Sequence, residues 1–252
     1  MELRLLNTCY NTPAMNMGID EAVLRYTAEG KSPPTLRFYG WDPPAVSIGY
    51  FQGLNEEVDL EQCTRSGVHY VRRMTGGGAV FHNTEMTYSI MLPEKHPLVV
   101  SNILDSYKRV CSGLISGFAF MGVEAQFVPL NDIVTGGKKI SGNAQSRKYH
   151  GFLQHGTILM DIDAETMFSL LIVPSEKMRD KLVKNVKERV TSLNHVLNRE
   201  VTFQETVDAF TRGFSEALKV ELVPGELTSE EKKRAAEIAG ERYSNPDWNH
   251  KR

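Results

Sequence analysis

Three consecutive glycines, Gly76-Gly77-Gly78, directly follow Val68-His69-Tyr70-Val71-Arg72-Arg73, which alternates apolar and polar residues as a half-buried strand does. What comes next is again β-rich: Ala79 to His82 and Met86 to Leu92, joined by the polar stretch His82-Asn83-Thr84-Glu85, which has the character of a hairpin turn. The glycine loop is therefore expected within a β-meander and not at the strand-to-helix turn of a βαβ unit. It matches neither G-x-x-x-x-G-K-S/T nor G-x-G-x-x-G, so the usual nucleotide-loop readings do not apply.

Upstream, Leu3 to Leu6 reads as a strand, and Met17, Ala22, Val23 and Tyr26 recur at near-helical spacing over 16–26. The β-rich runs 36–39 and 45–50 flank Gly40-Trp41-Asp42-Pro43-Pro44 and are expected to be neighbouring strands; residues 58–66 look helical. Downstream, Leu104, Val110, Leu114, Ile115 and Phe118 predict a long amphipathic helix over 102–121 that stops at Gly122. Three more strand-like stretches, 132–134, 139–145 and 153–160, should extend the same sheet. The last third turns helical at 164–171, 176–183, 202–218 and 229–242, the last with Thr228 as its cap. With no repeat, low-complexity tract or long linker, residues 1–252 read as a single domain.

A net charge of -2 supplies no basic field for nucleic acid. Cys9, Cys63 and Cys111 are odd in number, widely spaced and free of any C-x-x-C, which points to a reducing cytoplasm and to neither a disulfide framework nor a zinc site. The N-terminus lacks a basic-then-apolar signal layout, and no stretch approaches the ~20 apolar residues of a membrane span.

Consecutive glycine N–H groups can form a concavity for a carboxylate or phosphate, and two arginines precede them; the same triplet also fits a flexible hairpin turn. Arg72 and Arg73 point to opposite faces of a regular strand, so only one of them enters a pocket from it. Gly136-Gly137-Lys138-Lys139-Ile140-Ser141-Gly142 places two lysines at a strand entrance, where an ammonium could offset charge on a reacting carboxylate or phosphate; a solvated basic hairpin is the alternative. His82 and His155 fit a base, a ligand or a packed polar residue, and Asn131-Asp132 fits a Mg2+ contact or a turn pair.

Taken in order, Leu36-Arg37-Phe38-Tyr39-Gly40-Trp41, Ser47 to Gln52, Arg72 to His82, Asn131-Asp132-Ile133, Lys138 to Gly142, His155-Gly156-Thr157 and Trp248-Asn249 resemble lipoate-protein ligase A and its relatives in the lipoate/biotin ligase and octanoyltransferase superfamily. The resemblance spans most of the chain. It implies an α/β architecture of the α+β type, a mixed β-sheet flanked by helices like a biotin/lipoate ligase catalytic domain. It also implies an apolar tunnel for lipoate beside an ATP site. Lys139 resembles the family's catalytic lysine; Arg72, Gly76, Gly77, Gly78 and Ala79 look like the carboxylate and phosphate cradle; and Asn131 and Asp132 match the polar pair near the nucleotide and its Mg2+, with Asp132 as the metal contact. Gly142 follows the lysine, while His82 and His155 would line the pocket.

The superfamily contains two chemistries. Transferases form a thioester on a cysteine near the lysine, yet residues 128–146 contain none, and Gly78-Ala79-Val80 has the ligase-like form. The resulting expectation is a cytoplasmic lipoate-protein ligase that uses ATP and Mg2+ to make lipoyl-AMP or octanoyl-AMP and modifies a lysine of lipoyl-domain proteins, such as 2-oxoacid dehydrogenase E2 or glycine-cleavage H proteins. The C-terminal accessory domain of many ligases has no room here, which by resemblance to split ligases calls for a small separate accessory subunit. Docking of an acidic acceptor would draw on Lys138, Arg147 and Lys148, which fit an ordinary solvated surface equally well. Cysteine-dependent octanoyl or lipoyl transfer, and a non-catalytic lipoyl-binding module, are the alternatives.

Overall fold

The computed structural model describes residues 1–251. Strand β1 (Glu2–Asn11) leads into helix α1 (Pro13–Ala28), which starts at once because the Thr12 side chain accepts from the Met15 N–H and Pro13 is preset for a helical first turn. The wholly buried β2 (Thr35–Trp41) is followed by β3 (Ala45–Ile48), the short helices α2 (Leu54–Glu57) and α3 (Leu60–Arg65), and β4 (His69–Arg72). Beyond the glycine loop come β5 (Val80–His82), β6 (Glu85–Pro93), helix α4 (Ile103–Phe120), β7 (Gln126–Val128), β8 (Asp132–Thr135), β9 (Lys138–Lys148) and β10 (Gly151–Leu159). Helices α5 (Ala164–Ser169), α6 (Glu176–Arg189), α7 (Leu193–Leu197) and α8 (Phe203–Leu218) precede strand β11 (Glu221–Pro224). The described chain ends in α9 (Ser229–Ile238), a π-helical turn at Ala239–Tyr243 and α10 (Pro246–Asn249); a capping box between Thr228 and Glu231 starts α9.

Eight strands form a mixed sheet ordered β11-β1-β2-β6-β10-β9-β8-β7, parallel across β11, β1 and β2 and antiparallel from there on. One face is covered by α4 and α8 through Leu114, Phe118, Phe210 and Phe214, the other by α1 and α9 through Val23, Leu24, Ala235 and Ile238. This is the helix-flanked mixed sheet that the resemblance implied. No helix among the described residues is long and apolar enough to cross a membrane.

The expected meander is not formed. Strand β3 lies between β4, to which it is parallel, and β5, to which it is antiparallel, in a separate three-stranded sheet with its own apolar cluster around Val46, Ile48, Leu54 and Cys63. Strand β6 belongs to the large sheet, so residues 82–85 carry the chain from one sheet to the other instead of closing a hairpin. Glu85 fixes that crossing by bonding back to His82 Nδ1 and to the Asn83 N–H. For the same reason β2 and β3 are not neighbours, since each belongs to a different sheet.

Candidate functional site

Between the two sheets lies a cavity of about 290 Å3. The small sheet contributes Ser47, Arg73, the glycine loop and His82; the large sheet contributes Lys139, Gly142, Asn143 and His155. Much of the remaining lining is apolar, including Met17, Trp41, Leu159, Met167, Val186 and Val190.

The strand parity of the two arginines holds, but the face is the reverse of the one the resemblance implied. Arg72 points away from the cavity. Its guanidinium donates to the carbonyls of Trp248 (3.0 Å) and Asn249 (2.7 Å) and to those of Gly49, Tyr50 and Gln52, while its backbone N–H donates to Asn249 Oδ1 at 2.8 Å. It clamps α10 onto the 49–52 turn. Arg73 is the arginine on the cavity side: it donates to Ser47 O (2.8 Å) and Oγ (2.6 Å), and to the carbonyls of Gly76 (3.1 Å) and Gly78 (2.9 Å). Burial pushes its pKa down to about 10, which still leaves it charged at neutral pH.

Arg73 thus draws two loop carbonyls toward itself. Among the described residues, the N–H groups of Gly76, Gly77 and Gly78 donate to no protein acceptor, the condition for an anion-binding concavity. Gly77 has φ +102°, which a side chain would strain, and its carbonyl packs so tightly on Gly49 that a Cβ there would lie 2.0 Å from it. Gly49→Ala should therefore displace the loop and reduce kcat/KM by about tenfold or more, because a small misplacement of catalytic donors is expensive. Steady-state turnover by the variant checks this; activity within about twofold of wild type would mean the loop position does not matter.

Lys139 opens β9 and reaches Asp132 Oδ1 at 2.8 Å across the β8–β9 pair. Its stem lies where a Cβ on Gly142 would stand, 2.8 Å from both Cε and Nζ, so glycine at 142 makes room for the lysine. Asn143 holds the adjoining wall: its N–H and Nδ2 donate to Asn131 O (3.1 and 2.9 Å), and its Oδ1 accepts from Tyr88 OH at 2.7 Å.

Two buried histidine chains complete the walls. His82 Nε2 meets Ser47 Oγ at 2.7 Å, its Nδ1 pairs with Glu85, and Trp41 stacks on the ring at 4.0 Å. His155 Nε2 meets Thr75 Oγ1 at 2.7 Å, and its Nδ1 stands 3.6 Å from Asp20 Oδ2. Asp20 in turn accepts from Arg37 Nη1 (2.6 Å), Ser89 Oγ (2.8 Å) and Tyr39 OH (3.1 Å).

Burial pushes the His155 pKa down further than Asp20 can lift it; burial alone would raise the Asp20 carboxyl, but Arg37, with His155 and Ser89, holds it below its ordinary value. For both groups the folded value lies below the unfolded one. Their stabilisation is complete above the unfolded values, about 6.5 for histidine and 3.9 for aspartate, and is lost as pH falls through the folded values. Wild-type Tm should accordingly begin to decline below about pH 6.5, and His155→Gln should flatten the part of the decline nearest neutrality. Parallel Tm–pH curves for the two proteins would remove His155 as the cause.

Of the residues singled out in the sequence, Gly76, Gly77, Gly78, Ala79, His82, Asn131, Lys139, Gly142 and His155 meet at this cavity; Asp132 joins through Lys139, and Arg72 does not reach it. Arg73, Ser47 and Asn143 were missed. Only the strand parity hinted at the first of them. On the docking surface, Lys138 stays beside the site, but Arg147 and Lys148 lie nine and ten residues farther along β9, about 30 Å away at ~3.3 Å per residue.

Residues 12–215 match the lipoyl protein ligase A/B catalytic domain. The chain belongs to this family. Among curated members it is 40% identical to the octanoyltransferase LipM of Brevibacillus brevis, over 96% of each chain, and 39% identical to that of Geobacillus kaustophilus, over 99% of this chain and 98% of the relative. Among solved structures it is similar to a bi-partite lipoate protein ligase from Thermoplasma acidophilum, with a TM-score of 0.90 and 33% identity over 99% of this chain and 96% of that one.

The family assignment makes this an enzyme of the lipoate-protein ligase and octanoyltransferase group, and it corrects the expected chemistry. ATP-dependent ligation is not supported, because the curated relatives named above are octanoyltransferases and are more similar in sequence, at 40% and 39%, than the ligase at 33%. The earlier expectation rested on two short segments, the cysteine-free stretch 128–146 and Gly78-Ala79-Val80. Similarity along the whole chain outweighs them, and a fold shared by both chemistries does not discriminate between them.

Proposed function

We propose that the chain transfers an octanoyl group from a thioester donor to a lysine of a lipoyl-domain protein. What carries this reading is its similarity to octanoyltransferases along nearly the full length of both chains. The cavity offers the parts such a transfer needs. Its apolar side chains suit the hydrocarbon tail, while the glycine-loop N–H groups and Lys139 suit the oxygen that becomes negative as the amine adds to the carbonyl.

The acceptor and any additional subunit are part of the proposal. The Thermoplasma acidophilum neighbour is a bi-partite lipoate protein ligase with an E2 lipoyl domain, which supports a separate partner chain here. Octanoyl thioester, purified protein and an unmodified lipoyl domain, mixed without nucleotide, should give an octanoylated domain detectable by intact mass. A domain that stays unmodified until free acid and ATP are added would overturn the reading.

A further inference from the structure

The donors that would hold an oxyanion come from different sheets: Lys139 stands on β9 of the large sheet, whereas the glycine loop joins β4 to β5 of the small one. Their convergence on one oxygen depends on contacts that tie the loop to the large sheet. The start of the loop has such a tie, since Thr75 Oγ1 meets His155 Nε2 of β10 at 2.7 Å. The glycines that follow are reached through Arg73, whose Nη2 donates to the carbonyls of Gly76 and Gly78.

Arg73 is itself held by a chain of side chains that begins on the large sheet. Its Nη1 donates to Ser47 Oγ at 2.6 Å, which leaves the Ser47 hydroxyl to donate to His82 Nε2, 2.7 Å away. That nitrogen must be bare, so the ring proton sits on Nδ1, where Glu85 accepts it. The other tautomer would set a carboxylate against a bare ring nitrogen and leave the Ser47 proton without an acceptor. Glu85 opens β6, and Trp41, at the end of β2, stacks on the imidazole at 4.0 Å with the planes 16° apart. His82 thus belongs to the small sheet but is oriented by two side chains of the large one. Ser47, His82, Glu85 and Arg73 are all buried, where a missing partner is costly.

We infer that His82 is a positioning residue for the glycine loop: through Ser47 and Arg73 it keeps the Gly76 and Gly78 carbonyls turned to the guanidinium, which leaves the loop N–H groups to the cavity in register with Lys139. The inference rests on the octanoyl-transfer reading above. His82 makes and breaks no bond to the acyl group, since both its ring nitrogens are engaged. Its effect falls on the transition state and not on binding, because the loop donors matter once the carbonyl oxygen gains charge.

Steady-state transfer from an octanoyl thioester to a lipoyl domain tests this with three variants. His82→Ala should lower kcat about tenfold or more, while KM for the thioester stays within about threefold of wild type. His82→Gln should bring kcat back to within about threefold of wild type, because its amide carries both an acceptor for Ser47 and a donor for Glu85. A general base would not be rescued by an amide, which takes up no proton at neutral pH, and a wall of the acyl site would show in KM. Ser47→Ala breaks the chain with the imidazole left in place; it should lower kcat as His82→Ala does, and the double variant should lose no more than either alone. The inference is overturned if His82→Ala keeps kcat within about threefold of wild type, if the loss appears in KM instead, or if His82→Gln is no better than alanine. Should circular dichroism show His82→Ala to be unfolded, Ser47→Ala decides, and kcat within about threefold of wild type then overturns the inference. Wild-type protein that modifies no acceptor from thioester removes the functional reading and the inference together, whereas normal wild-type transfer with an insensitive His82→Ala removes only the inference.

Discussion

Lys139→Ala is expected to lower kcat for acyl transfer by about 10²–10³, the usual cost of removing one preorganised oxyanion donor. Lys139 lines the cavity with a side chain that is 39% exposed, whereas Arg73 is buried and committed to loop carbonyls and Ser47. Its backbone role is separate, since the Lys139 carbonyl accepts from the Thr191 N–H at 2.8 Å whatever the side chain. The fold should therefore survive, with Tm close to wild type. Because Asp132 loses its partner in this variant, the Lys139→Ala/Asp132→Asn double variant distinguishes a missing donor from a stray carboxylate: recovery of most of the activity would show that Lys139 only neutralises Asp132. Persistent loss is the expected result.

Asp20→Ala is expected to have the largest effect on stability, about 3–5 kcal/mol, because it strands a buried charge. Arg37 and Asp20 are 0% and 2% exposed at their side chains, 2.6 Å apart, and Arg37 spends its other donors on Asn16 and Thr8. Taking the carboxylate away also leaves Tyr39, Ser89 and His155 short of a partner, at the junction of α1, β2, β6 and β10. For a chain of this size that loss corresponds to a fall in Tm on the order of 10 °C. Urea unfolding measures it directly; a cost under about 1 kcal/mol would mean that the Arg37 charge finds water or another acceptor.

How legible these features are in the sequence follows from how local their causes are. Helices α1, α4 and α8 could be read from spacing and caps, because periodicity and the Thr12, Asn102 and Thr202 caps are short-range properties. Strands β8 to β10 pair with sequence neighbours through short connections, and their place in the large sheet could be read as well. The division into two sheets could not. It depends on β3 pairing in parallel with β4 across α2 and α3, a non-local choice that two β-rich runs flanking a proline turn do not reveal.

The same limit applies within the site. Period-two alternation establishes that Arg72 and Arg73 face opposite ways, but which of them faces the cavity is set by Trp248 and Asn249, which arrive from the far end of the chain to receive Arg72. Lys139, Gly142 and the glycine triplet were singled out through the family resemblance, and the structure brings them to one cavity. Asp20, Arg37, Tyr39, Ser89 and His155 form one buried network from four elements, and nothing in their individual surroundings announces it. The chemistry was the least legible, since both chemistries share this fold and one short cysteine-free segment does not decide between them.

The most direct measurement supplies both donors at once: octanoyl thioester of natural isotopic composition and deuterated free octanoate with Mg-ATP, in equal amounts, to the purified protein and a lipoyl domain. The mass of the modified domain then reports which carbonyl was used. Octanoyl transfer requires the unlabelled product to dominate and to form equally well when ATP is left out. A deuterated product that disappears without ATP would contradict it.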